Sequence, residues 1–239
     1  MSYFKRIVLV ILTVFFLTNC GGPSVPQAPA FTILERVYTY KEASKIDLID
    51  KVDPLAGGKA DGIIQAVIEI PAGSNEKWEV AKDGKSIIWE FKDAKPRVID
   101  YLGYPGNYGF IPRSLLPREK GGDGDPLDII VLGNALPRGR RANVKLIGVL
   151  KIMDTGEQDD KLIAVDSSAP FYPNVNEIDT LKEKYPGILE ILRLWFENYK
   201  GPGVMEFKGF GSREEAWEVV AVALRSYEEY NKKDKKKML

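Results

Sequence analysis

The hydrophobic period changes once along this 239-residue chain, and that change limits the fold more than any other feature. Up to about residue 165 the apolar residues come in short, often β-branched runs cut by Gly, Pro and Asp-Gly. After residue 186 they recur at three- and four-residue spacing. Residues 62–70 read as a strand stopped by Pro71, since proline cannot donate to a sheet ladder. Residues 78–81 and 86–91 flank Asp83-Gly84, a strong hairpin signal, and residues 127–132, 144–153 and 161–165 add three more strands. Pro186 suits a first helical turn, and Ile188, Leu189, Ile191, Leu192, Trp195, Phe196 and Tyr199 then mark an apolar face ended by Gly201-Pro202-Gly203. Ser212-Arg213-Glu214-Glu215 has the form of a capping box, opening a second helix with Trp217, Val220, Ala221, Leu224 and Tyr227 facing inward. Strands first and helices last predicts an α+β fold, and many brief strands predict a closed barrel with the C-terminal helices packed against it.

The first twenty residues stand apart from that pattern. Lys5 and Arg6 precede an apolar segment at 7–17, too short for a comfortable membrane span, which runs into Leu17-Thr18-Asn19-Cys20. The segment resembles a bacterial lipoprotein signal peptide, in which the cysteine is acylated and becomes the new N-terminus. The other reading is an uncleaved anchor with an inert Cys20. Residues 21–30 (Gly-Gly-Pro-Ser-Val-Pro-Gln-Ala-Pro-Ala) form a Pro-rich spacer, leaving residues 31–239 for one catalytic-size domain. This organisation implies a protein outside the cytoplasm, lipid-anchored to a membrane through Cys20. The lysine-rich end at 232–237 reads as a solvated tail.

Composition removes most catalytic chemistries. Histidine is absent and Cys20 is the sole cysteine, which excludes His-dependent nucleophilic triads, thiolate clusters and disulfides. Lys plus Arg and Asp plus Glu balance at 34 each, so bulk charge gives no reason to expect nucleic acid. What remains is Asp, Glu, Lys, Arg, Tyr and water.

Three carboxylates fall within Asp123-Gly124-Asp125-Pro126-Leu127-Asp128, on a turn that enters the apolar run 129–132. Two carboxylates about 4 Å apart repel by about 1 kcal/mol in water and about 4 kcal/mol near a protein surface. Convergent acids therefore take up a proton or a hard divalent cation such as Mg²⁺ or Ca²⁺. Taken alone, the stretch is equally readable as a solvated hairpin turn. Further along lie Asp154, Asp159 and Lys161 in a loop between strands, and Tyr199-Lys200 at a helix end. Glu69 and Glu79 lie on earlier strands, with Lys77 sharing a face with Glu79, and Tyr104-Pro-Gly-Asn-Tyr108-Gly reads as a tight turn. Many carboxylates, several cations and tyrosine hydroxyls suit a polyanion handled through several Mg²⁺ ions.

In this order these motifs resemble the soluble family I inorganic pyrophosphatases, over roughly residues 62–200. The resemblance implies a small OB-like β-barrel and hydrolysis of pyrophosphate to two orthophosphates by a metal-activated water, with several Mg²⁺ ions. By position, it implies Asp125 as general base, and Asp123, Asp128, Asp154, Asp159 and Glu79 around the metals. Lys77, Arg97, Tyr108, Lys161, Tyr199 and Lys200 would hold the phosphates, with Glu69 and Tyr104 in support. Homo-oligomerisation stays open, as do two rival functions: a noncatalytic metal- or phosphate-binding surface lipoprotein, and a phosphohydrolase acting on nucleotides or polyphosphate.

Overall fold

A computed structural model describes residues 38–39, 62–81, 86–118, 122–168 and 171–237, all within the second of the chain's two units, Arg36–Leu239. The leader at 1–20 with Cys20, the spacer at 21–30, Asp83-Gly84 and Gly121 lie outside the described residues. Strand β9 (Arg141–Asp154) is fourteen residues long, enough to serve different partners along each of its sides. On one side its first residues pair antiparallel with β2 (Ile63–Ile70), from Ile63 opposite Lys145 to Val67 opposite Arg141. On the other side it pairs antiparallel with β11 (Lys161–Asp166). β11 then pairs parallel with β8 (Asp128–Leu132), β8 antiparallel with β7 (Asn107–Phe110), and β7 antiparallel with β2. The ring β9-β11-β8-β7-β2 closes as an OB-like barrel, so every ring strand finds two neighbours and no long edge is left open.

The far end of β9 carries β10 (Glu157–Gln158) and β12 (Met205–Gly211). β12 corrects the expectation that all strands precede the helices: it falls between α2 (Ile188–Asn198) and α3 (Arg213–Lys237). Its Met-Glu-Phe-Lys-Gly-Phe-Gly pattern is too mixed to read as a strand without its partner. The tight turn expected at 104–109 is likewise half strand, because Asn107 to Phe110 insert between β2 and β8 with every residue buried. Gly109 permits this, since a Cβ there would stand 1.9 Å from the Val67 carbonyl oxygen.

Side chains of the ring alternate between two apolar clusters. Along β11, Leu162 and Ala164 join one with Ile129, Leu146 and Val220; Ile163 and Val165 join the other with Ile130, Leu132 and Phe196. Strands buried on both faces read as continuous apolar runs, and each fully buried aliphatic contributes about 1.5–3 kcal/mol. The helices cover these faces: α1 (Ile178–Lys184) and α2 the second cluster, α3 the first. The capping box opens α3 as expected, Ser212 N–H donating to Glu215 Oε2 at 2.8 Å and Glu215 N–H to Ser212 Oγ at 3.3 Å. A separate sheet of β1 (Tyr38–Thr39), β4 (Ser86–Trp89) and β3 (Trp78–Val80), and a ribbon of β5 (Phe91–Lys92) and β6 (Lys95–Pro96), complete the described strands.

Candidate active site

Parallel pairing of β8 with β11 decides where the acids go. Leu162 sits opposite Ile129, so Asp128 and Lys161 start their strands side by side. The Lys161 ammonium, only 2% exposed, donates to Asp128 Oδ2 and to Asp159 Oδ1, both at 2.5 Å. Burial works against its charge, but the two carboxylates outweigh burial and hold Lys161 above the usual lysine range. Asp159 is reached from β9, its N–H donating to the Ile152 carbonyl at 2.9 Å. Its carboxyl is nonetheless raised, because burial and the neighbouring Asp128 outweigh the lysine.

The turn before β8 is built from its own acids. Asp125 N–H donates to Asp123 Oδ1 at 2.9 Å, and Gly124 between them takes φ +87°, a region costly for other residues. Backbone bonds from Gly124 and to Asp125 fasten this turn to Leu116, while Leu127 N–H donates to Ser114 Oγ. The Asp125 carboxyl is pushed up by burial and then by Asp123 and Asp128. Glu79 is raised by burial too, with Glu90 and Asp125 adding to it against Lys77. Lys77 and Glu79 share a face as expected, 3.9 Å apart.

Glu69 is the extra residue of a bulge: β2 shifts register against β7 between Ile68 and Ile70, which turns Glu69 out of the ladder. Its carboxylate accepts the Val80 N–H at 2.6 Å, and burial pushes its pKa up to about 8 despite Lys77. Tyr108 has two ammonium groups over its ring, Lys77 at 5.7 Å and Lys161 at 5.9 Å from the centroid. Tyr104 packs on Tyr108 (5.2 Å) and Trp195 (4.4 Å), and Trp195 stacks on Tyr199 (4.6 Å). Burial raises all three phenols above the usual tyrosine range, so they remain proton donors at any working pH. Lys200, just past α2, pairs with Asp154 at the end of β9.

Arg97 lines an open cavity of about 350 Å³ together with Tyr199 and Lys200. Its Nη1 also donates to both oxygens of Glu90 at 2.9 and 2.8 Å. Glu90 was not foreseen; the β5–β6 ribbon places it across from Arg97, and the turn within Phe-Lys-Asp-Ala-Lys-Pro was the signal available. The sequence-predicted residues therefore sense one another across a single region at one end of the barrel. Asp128 acts on Asp125, Glu69, Asp159 and Tyr199, and Asp125 on Glu79. Among the described residues no three acids already form a closed metal cage, Lys161 bridging two of them instead. The donor set still fits Mg²⁺: oxygen donors only, with Asp159 and Glu79 each raised by partial desolvation and neighbouring negative charge that a divalent cation relieves.

A family model described as inorganic pyrophosphatase matches residues 66–228, a span holding every residue of this region. The inorganic pyrophosphatase of Kluyveromyces lactis is 34% identical over 181 residues, covering 70% of this chain and 63% of that one. The chain spans 57–64% of the length of the first curated relatives it matches. Among solved structures, type I inorganic pyrophosphatase of Toxoplasma gondii superposes with a TM-score of 0.65 at 29% identity, covering 70% of this chain and 80% of that one. A truncated Trypanosoma cruzi vacuolar soluble pyrophosphatase in complex with PPi gives 0.67 at 25% identity, covering 72% and 71%. A closed five-strand ring with acids, lysines and tyrosines gathered at one end, inside a match of this extent, places the chain in the inorganic pyrophosphatase family.

Proposed function

We propose that this chain hydrolyses inorganic pyrophosphate to two orthophosphates with the help of several Mg²⁺ ions. The observation that carries the reading is Asp125, a solvent-accessible carboxyl raised by partial desolvation, Asp123 and Asp128, in the region where Lys161, Tyr108 and Lys77 present donors. Asp123, Asp128, Asp154, Asp159 and Glu79 are the residues that would hold the metals. When bound, Mg²⁺ supplies Lewis-acid polarisation of the phosphoryl oxygens and a more acidic water.

The chain's own groups do the rest. Asp125 accepts a proton from the attacking water; its raised pKa makes it a stronger base than an ordinary aspartate. The ammonium groups of Lys77, Lys161 and Lys200 offset the negative charge that otherwise repels the nucleophile. Tyr108, Tyr199 and Arg97 donate to the phosphate oxygens, stabilising charge spread over the transferred group. Glu69 and Tyr104 keep Lys77 and Tyr108 in place. Water adds to one phosphorus, the bridging P–O bond breaks, and the second orthophosphate leaves with the electron pair.

Orthophosphate release from pyrophosphate with Mg²⁺, measured beside ATP and tripolyphosphate, tests this directly. Release from pyrophosphate well above the other two is expected; tight Mg²⁺ binding without release would leave a noncatalytic binder. For location, the leader pattern and the Pro-rich spacer support acylation of Cys20 and attachment to a membrane outside the cytoplasm. Mass spectrometry of the mature N-terminus decides that: a lipid-modified Cys20 is expected, and an intact Met1 would end the idea.

A further inference from the structure

Below the face that carries Lys77 and Glu79 lies a charged group without a place in the proposed chemistry. Arg138 sits in the turn between β8 and β9, which is laced to β2 by Gly139 N–H to the Ile68 carbonyl (2.7 Å) and Ile68 N–H to the Arg140 carbonyl (2.9 Å). Its side chain is 6% exposed. Nε donates to the carbonyl of Glu69 at 2.9 Å, and Nη2 to Glu76 Oε2 at 3.0 Å. The guanidinium lies over the Trp78 ring, 4.2 Å from its centroid, and Trp78 Nε1–H donates to the same Glu76 oxygen at 3.0 Å. Trp78 is 1% exposed and stacks on Trp89 at 5.4 Å.

Residues alternate along a strand, so Trp78 faces away from Lys77 and Glu79. Whatever fixes the indole therefore fixes the direction of both functional side chains. The same arginine also holds the bulged Glu69 by its carbonyl, while the Glu69 carboxyl accepts the Val80 N–H. The segment 76–80 is thus held at Glu76, Trp78 and Val80, and Arg138 touches Glu69, Glu76 and Trp78 together.

We propose that Arg138, with Glu76 and Trp78, is a positioning residue that aims Lys77 and Glu79 at the phosphate and its metal, a role resting on the function proposed above. It touches no reacting atom. A salt bridge serving only stability would change how much protein is folded and leave ligand affinity alone. A positioning role changes affinity in the folded protein, because support one layer behind a ligand typically controls metal affinity or activity by about 10–100-fold.

The test compares Arg138→Met, Arg138→Lys and Val220→Ala, the last a core change in α3 away from this clamp. Thermal melts are recorded beside KM, kcat and the Kd for imidodiphosphate with Mg²⁺, a diphosphate analogue whose binding does not depend on turnover. Arg138→Met is expected to raise Kd and KM by about tenfold while kcat changes far less. Arg138→Lys, which keeps the charge over the ring but not the fork, should fall between it and the wild type. Val220→Ala should lower Tm without moving Kd. An unchanged Kd in folded Arg138→Met, or an equal rise in Val220→Ala, overturns the proposal. Should Arg138→Met not melt cooperatively, Glu76→Gln decides: a raised Kd supports the clamp and an unchanged one overturns it. Wild-type binding without orthophosphate release would remove the hydrolase reading alone, the Kd comparison still deciding the role of Arg138.

Discussion

Lys161→Met removes a buried cation and leaves two acids without it. Methionine nearly matches lysine in volume, so no large cavity opens; what changes is the charge between Asp128, 24% exposed, and Asp159, 17% exposed. Removing one partner from a buried ion pair typically costs about 3–5 kcal/mol, because the remaining charge stays desolvated. For a folded unit near 200 residues, 1 kcal/mol corresponds to about 2–4 °C, so Tm should fall by roughly 6–20 °C at pH 7.5 in EDTA. The pH dependence follows from Asp159, whose folded pKa is already raised by burial. Losing the lysine raises it further, and a raised carboxyl contributes stability that is present at low pH and lost as pH rises through the folded pKa. The deficit should therefore be largest at neutral pH and shrink toward pH 4.5. Mg²⁺ should restore part of it, since a divalent cation can replace the ammonium between the two acids. Denaturant and thermal melts at two pH values, with and without Mg²⁺, check all three expectations. A loss below about 1 kcal/mol, or one that grows as pH falls, would refute the reasoning.

Asp125→Asn should lower kcat by about 10²–10⁴-fold, the range for a removed general base, with Tm equal to or above wild type, because the raised Asp125 destabilises the fold when ionised. Orthophosphate release and a melt on the same sample check this. Glu69 has a folded pKa of about 8 against 4.5, so its ionisation costs stability progressively between those values. Relative to Glu69→Gln, the wild type should lose on the order of 3–5 kcal/mol between pH 4.5 and pH 8, seen as converging or crossing denaturation midpoints. Gly109→Ala should destabilise by at least about 3 kcal/mol, since its Cβ would meet the Val67 carbonyl at 1.9 Å and force β7 from β2. Equilibrium unfolding of that variant measures the loss directly.

The acidic turn was legible because its signal is local. Gly and Pro in Asp-Gly-Asp-Pro demand a turn, and the apolar run behind demands a strand, so Asp123, Asp125 and Asp128 sit where the spacing puts them. The capping box at Ser212–Glu215 and the apolar face of α2 were legible for the same reason: a helix is built from contacts three and four residues apart. The closed barrel also followed from strand number and turn spacing, although the order of its ring did not.

What stayed hidden depended on partners far away in the chain. Asn107 to Phe110 looks like a turn until β2 and β8 flank it, and β12 looks like a loop until β9 offers its free side. Lys161 reads as a phosphate ligand from its place in the motif; only the parallel register of β8 and β11 reveals that it also neutralises Asp128 and Asp159. Glu90 and Arg97 are marked only by the turn between them, and Arg138 with Glu76 and Trp78 carries no mark of its pairing along the chain. Side-chain type and local spacing determined which chemistry this protein has available, because those are properties of a few neighbouring residues. Which charges face one another, and how far burial shifts them, was decided by strand register and packing, since Coulomb and desolvation energies depend on distances that only the closed barrel sets.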